Sequence, residues 1–163
     1  MKILITYASQ TGNTKKLADA ASQILHGEKT ICPVDEAPEP AGFDLVILGF
    51  WLQGGKPDPK SSGYLAKIGD ARLFLFATHG ARTDSPHAIN AMDNARSLAP
   101  SARVSGTFNC QGTVNPSFLE KARQKNPLPA WIEDAPAAVG HPDAVDIDRL
   151  KAAIKSALPE FTS

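Results

Sequence analysis

The sequence runs to 163 residues with 17 basic and 17 acidic side chains, so it carries no net charge. That length suits a single domain, residues 1–163, with a proper core, and the charge balance gives no argument for nucleic acid or an anionic membrane surface as partner. Cys32 and Cys110 stand alone, with no C-x-x-C pair and no Cys/His cluster, so a disulfide scaffold, a zinc site and an iron–sulfur site are poorly supported and no metal site is expected.

The chain opens with an apolar run, Ile3-Leu4-Ile5, that reaches a cluster of hydroxyls around one glycine, Ser9-Gln10-Thr11-Gly12-Asn13-Thr14. Leu17, Ala18, Ala21, Ile24 and Leu25 then recur at helical spacing, and Gly27 reads as the stop. This predicts a strand, a tight turn and a helix N-terminus. Residues 30–34 read as an edge strand, because proline is tolerated there. The continuous run Leu45–Phe50 is the kind of strand that a parallel sheet covered on both faces requires, with a long turn over 51–59 behind it. A short helix is expected from Ser61 towards Ile68. A fourth strand follows over Leu73–Ala77, with Thr78–Arg82 as its exit loop.

Ser85-Pro86 has the form of a helix start, serine as cap and proline at the first helical position. Ala88, Ala91, Met92, Ala95, Leu98 and Ala99 supply that helix's apolar side. A weaker fifth strand spans Arg103–Cys110. From Gln111 to Gly140 the pattern is least readable, with a short helix around Phe118–Arg123 and then a proline-rich loop. Ile147, Leu150, Ala153, Ile154 and Ala157 mark a last amphipathic helix with an Asp-rich start.

Strands alternate with helices throughout, which predicts a three-layer α/β/α sandwich around a five-stranded parallel sheet. The order 2-1-3-4-5 places ligands outside the carboxyl ends of the strands, at the switch point between strands one and three. Loops 7–14, 50–59 and 78–85 reach that point. The first of them joins hydroxyl side chains to the free N–H groups of a helix start, an arrangement suited to an anion. The plain alternative is a strand-to-helix turn with Thr or Asn as N-cap.

Ser9-x-Thr11-Gly12-x-Thr14 resembles the phosphate loop of flavodoxins, T/S-x-T-G-x-T, without departure. Neither G-x-x-x-x-G-K-[ST] nor G-x-G-x-x-G is present, so the other common nucleotide loops are not indicated. The resemblance implies FMN as cofactor, its phosphate held by Ser9, Gln10, Thr11, Gly12, Asn13 and Thr14. It implies ring contacts from Phe50, Trp51, Gly54, Gly55, Thr78, His79 and Gly80. In flavodoxins a peptide of the Gly54-Gly55 loop turns over as the flavin is reduced; an ordinary glycine turn is the plain reading.

The strand-four exit, Thr78-His79-Gly80-Ala81, lacks the aromatic that many flavodoxins stack on the outer ring face. That leaves the face open or covered by His79, which otherwise is a solvated loop histidine. Phe50 and Trp51 alternatively belong to the core and the strand end. Asp58 and Asp84 read as charges near the ring or as turn residues, and Cys110 as packing. His26, His87 and His141 receive no role. The later segments are similar to a divergent flavodoxin-like group, one branch of which is associated with reduction of bilin pigments; that association is not carried over to this chain.

Three functions compete. The first is an FMN electron carrier between redox partner proteins, a reductase or an oxidoreductase, with no catalytic residue of its own. The second is an FMN-dependent reductase of a quinone or other small molecule. The third is a non-catalytic binding or regulatory module that kept the fold. The absence of an apolar run of membrane-spanning length or of a leader before the first strand makes a cytoplasmic protein the expectation.

Overall fold

Successive side chains of a strand point to opposite faces, so a strand buried on both faces is apolar at nearly every position. Strand β1 (Lys2–Tyr7) shows this directly: Ile3, Ile5 and Tyr7 enter one core and Leu4 the other. Strand β3 (Leu45–Gln53) sends Leu45 and Ile47 to the first core, and Val46, Leu48, Phe50 and Leu52 to the second. Strand β5 (Arg72–His79) divides Phe74 and Phe76 from Leu73, Leu75 and Ala77 in the same way. Each fully buried Leu, Ile, Val or Phe among them is worth roughly 1.5–3 kcal/mol relative to exposure.

The computed structural model describes residues 1–162. Its parallel strands lie in the order β2-β1-β3-β5-β6, where β2 is Glu28–Pro33 and β6 is Arg103–Gln111. A two-residue strand, β4 (Lys56–Pro57), folds back antiparallel on the end of β3 and stands outside that path. The five long strands thus have the expected flavodoxin-like order, with the hairpin strand as the addition. Helices α1 (Asn13–Ile24) and α5 (Ala144–Ala157) cover one face. Helices α2 (Pro59–Leu65) and α3 (Pro86–Ser97) cover the other. Helix α4 (Pro116–Arg123) and a 3₁₀ segment, Ala130–Ala138, pack on each other.

Several boundaries differ from expectation, three of them near the site or the chain's end. Helix α1 ends at Ile24 because Leu25 turns extended and bridges to Thr162. Strand β3 does not stop at Phe50; it continues to Gln53 because Gly54-Gly55 closes a two-residue hairpin with Gln53 opposite Lys56. Strand β5 likewise includes Thr78 and His79, whose neighbours on β6 are Cys110 and Gln111.

Candidate functional site

The carboxyl ends of β1, β3, β5 and β6 open into a cleft of about 250 Å³. On the β1 side the chain turns at Gly12, whose φ of +93° is left-handed backbone that glycine adopts freely. Gly12 is also the N-cap of α1, and no side chain caps that helix, contrary to the reading of Thr or Asn in the role. The first helical bond runs from Lys16 N to Gly12 O at 3.0 Å, so the amides of Asn13, Thr14 and Lys15 have no partner within the helix.

The loop's side chains are divided between structure and solvent. Ser9 Oγ accepts from Gly12 N at 3.1 Å, and Asn13 Nδ2 donates to Thr113 O at 3.0 Å. Thr14 Oγ1 and Thr78 Oγ1 share a buried bond of 2.9 Å. Gln10 and Thr11 are exposed. The two lysines of the first turn point elsewhere: Lys15 pairs with Asp19 at 2.7 Å, and Lys16 Nζ donates to Pro142 O at 2.6 Å. An anion here would meet dipoles rather than cations.

The β3 wall carries Trp51, half-buried at the cleft, while Phe50 does not reach it. Phe50 is fully buried with Leu48, Leu65 and Leu75 between the sheet and α2/α3, which removes it from the candidate ring contacts. Gly54 (φ +60°) and Gly55 (φ +75°) line the cleft as a turn with both central residues left-handed, the hairpin form that matches strand twist. Asp58 is the N-cap of α2, its Oδ1 accepting from Ser61 N at 3.0 Å, so it is a turn residue. Asp84 is exposed and lies 3.4 Å from Arg82.

At the β5 end, Thr78, His79 and Gly80 all line the cleft. His79 is only 8% exposed rather than a solvated loop residue. Its Nε2 lies 2.9 Å from Asn109 Oδ1 on β6, and its Nδ1 makes no hydrogen bond. Burial lowers its pKa, against the opposing pull of Asn109, so the ring is neutral at pH 7.

The aromatic missing from this loop arrives from far along the chain. Trp131 stacks on Phe118 (5.8 Å between centroids, 19° between planes), and Phe118 meets Trp51 edge-on at 6.4 Å. Gly80 is what seats Trp131: a Cβ there would lie 2.7 Å from Val114 and 3.2 Å from the indole. The open side expected from the β5 loop alone is therefore walled by α4 and residues 129–131. Lys125 and His87 also border the cleft, His87 being a residue to which the sequence assigns no role. Asn115-Pro116 was a usable helix-start signal for α4, since Asn115 Oδ1 accepts from Ser117 N at 2.9 Å. Nothing local signals where Trp131 folds back to.

Away from the cleft, Cys110 is 1% exposed in the α1/α5 core, and burial pushes its thiol pKa strongly up, as packing requires. His141, Asp143 and Asp146 cluster because they start α5. Asp143 and Asp146 form a reciprocal capping box at 2.8 and 3.0 Å, and His141 Nδ1 lies 2.6 Å from Asp146 Oδ2.

A doubly wound parallel sheet with its cleft beside an uncapped first helix defines a flavodoxin-fold α/β protein. A family model of the flavodoxin domain matches residues 4–155, and the chain belongs to the flavodoxin family. The flavodoxin-like domain-containing protein BilS of Clostridioides difficile (strain CD3) is 31% identical over 129 residues, 76% of this chain and 73% of that protein. Among solved structures, oxidised Flavodoxin 2 from Bacillus cereus covers 99% of this chain and 100% of its own, at 18% identity and a TM-score of 0.59. A flavoprotein in complex with FMN from Lactobacillus acidophilus NCFM covers 74% of this chain and 97% of its own, at 17% identity and a TM-score of 0.54. Both structural likenesses establish the fold.

Proposed function

We propose that the cleft binds FMN and that this chain, a single flavodoxin-like domain, carries electrons between redox partner proteins. The observation that carries the reading is the helix start at Gly12. Its amides are uncapped, its hydroxyls adjoin them, and its flanking residues line an aromatic-walled cleft. The donor set suits a phosphate, the indoles of Trp51 and Trp131 suit a flat ring, and the unpartnered His79 Nδ1 suits a polar edge. That a similar flavoprotein was solved with FMN adds support.

Bound there, FMN would supply reversible electron uptake, and the protein would supply binding, orientation and electrostatics. Ser9, Thr11 and the amides of Asn13, Thr14 and Lys15 bind the phosphate. Thr78 holds Thr14 in place. Trp51 and Trp131 exclude water, and Asn109 fixes the His79 ring. Among the described residues no helix is long and apolar enough to cross a membrane. We place the protein in the cytoplasm, with other proteins rather than nucleic acid or lipid as its partners.

The wall from Asn115 to Trp131 favours a second reading, an FMN-dependent reductase of a small organic acceptor such as a quinone. A covered cleft shelters a bound molecule better than an open ring face would. The test is the visible spectrum of the purified protein before and after mixing with FMN. A flavin band that stays with the protein through gel filtration supports FMN binding, and a colourless protein that releases all FMN refutes it. NAD(P)H oxidation by the purified protein, with a quinone as acceptor and no second protein, would favour the reductase.

A further inference from the structure

His87 touches the cleft from a helix with no assigned part in it. It occupies the second position of α3, after Pro86 and the Ser85 cap, whose Oγ accepts from Ala88 N at 3.2 Å. That cap and the fixed proline backbone set where α3 begins, and with it the backbone position of His87. Its Cε1 and Nδ1 would lie 3.4 and 3.7 Å from a Cβ at Gly55, so the ring is packed on the Gly54–Gly55 turn. Apart from its own hairpin pairing, this is the side on which that turn rests.

We propose that His87 is a positioning residue of the cleft: its ring sets how the Gly54–Gly55 turn is presented to a bound molecule, and gaining a proton displaces that turn. A neutral imidazole packs against backbone, whereas an imidazolium demands hydration that this half-buried contact does not give. The start of α3 opposes positive charge as well. Burial lowers the pKa of His87 in the same sense, so the neutral form prevails at pH 7.

The titratable groups on the surrounding elements are few. Lys56 of the hairpin is exposed. Arg82 and Asp84, before α3, pair with each other. His79 on β5 lies close enough for the charge of His87 to lower its pKa, while Asp134 raises it. Asp134 in turn accepts from Arg82 N at 3.0 Å. The turn is glycine at both positions, so it can yield at little backbone cost.

The consequence for FMN rests on the function proposed above, but the movement of the turn does not. The amide resonance of Gly55 is followed by ¹⁵N NMR between about pH 5 and 8, in protein without added FMN. It should shift along one titration with a midpoint below 6.5. The titration should vanish in His87→Gln and in His87→Asn, and survive in His79→Gln. A flat Gly55 resonance, or one that still titrates in both His87 variants, overturns the proposal, and so does a titration lost only in His79→Gln. The FMN dissociation constant should then rise at low pH in the original protein and not in His87→Gln. FMN that binds with equal pH dependence in both removes His87 from the site's machinery. If no FMN binds at all, the proposed function fails and the Gly55 titration still decides the role of His87.

Discussion

The bond between Thr14 and Thr78 ties the first turn of α1 to the end of β5 across the floor of the cleft, and its energy is open to direct measurement. The hydroxyls lie 2.9 Å apart, on residues 1% and 4% exposed. Thr14→Val keeps the side chain's shape and leaves the Thr78 hydroxyl without its partner. A buried polar group left unmade costs about 1–3 kcal/mol, while replacing both partners by apolar groups of the same shape is close to neutral. Each single valine variant should therefore lose about 1–2 kcal/mol, and the double variant Thr14→Val, Thr78→Val no more than either single one. With a urea slope of about 1–3 kcal/mol/M, each single variant shifts the unfolding midpoint by about 1 M. The assay is urea denaturation followed by the fluorescence of Trp51 and Trp131, without added FMN. If the two single losses add in the double variant, the hydroxyls do not act as a pair and the tether is refuted.

Gly80→Ala places a methyl against Val114 and Trp131; overpacking of this kind costs roughly 1–3 kcal/mol, and the Trp131 emission should shift red as the indole is pushed into water. An unaltered spectrum would mean that Gly80 does not seat Trp131. Asp143→Ala removes the α5 cap and should lower the melting temperature at pH 7. The amide of Asp146 holds the Asp143 carboxyl below its usual 3.8. That stabilisation is present above the unfolded pKa and is lost as pH falls through the folded one, so the variant and the original should converge in acid. For His79 the folded pKa is also lowered, but the group is a base. The unfolded chain then binds the proton first, and stability should fall as pH drops below about 6.5. In His79→Gln that loss should be absent from the difference in melting temperature between pH 7 and pH 5.5; an equal fall in both proteins would assign it elsewhere.

What sequence made legible follows from how local the determinants are. Leu45–Phe50 and Leu73–Ala77 read as central strands because every position is apolar, and only burial on both faces asks for that. Ser85-Pro86 located α3 through cap chemistry confined to four residues. The Gly54-Gly55 hairpin is legible on the same terms, as two glycines between extended residues, although the stretch 51–59 has the composition of one long turn. Trp131 and His87 were out of reach. The first lies in a proline-rich stretch whose path depends on Gly80, some fifty residues earlier, and the second acquires its place only when α3 packs on the hairpin. Phe50 went the other way. Next to Trp51 in sequence, it is fully buried in the core beneath α2 and α3, while Trp51 stays half-buried at the cleft.

Strand β2 is the outermost strand on its side of the sheet, and its first four residues are exposed. An unpaired strand of that kind offers donors and acceptors to any second chain, the usual starting point for edge-to-edge aggregation. Here the edge is blunted. Pro33 ends it without an N–H to give, and Glu28 and Lys29 charge it. Lys29 also folds across to the carbonyls of Ser22 and Leu25, at 2.8 and 3.1 Å, sealing the C-terminal end of α1. One side chain thus serves as a helix stop and as a guard against self-association, so neutralising it would be felt in solubility as well as in folding.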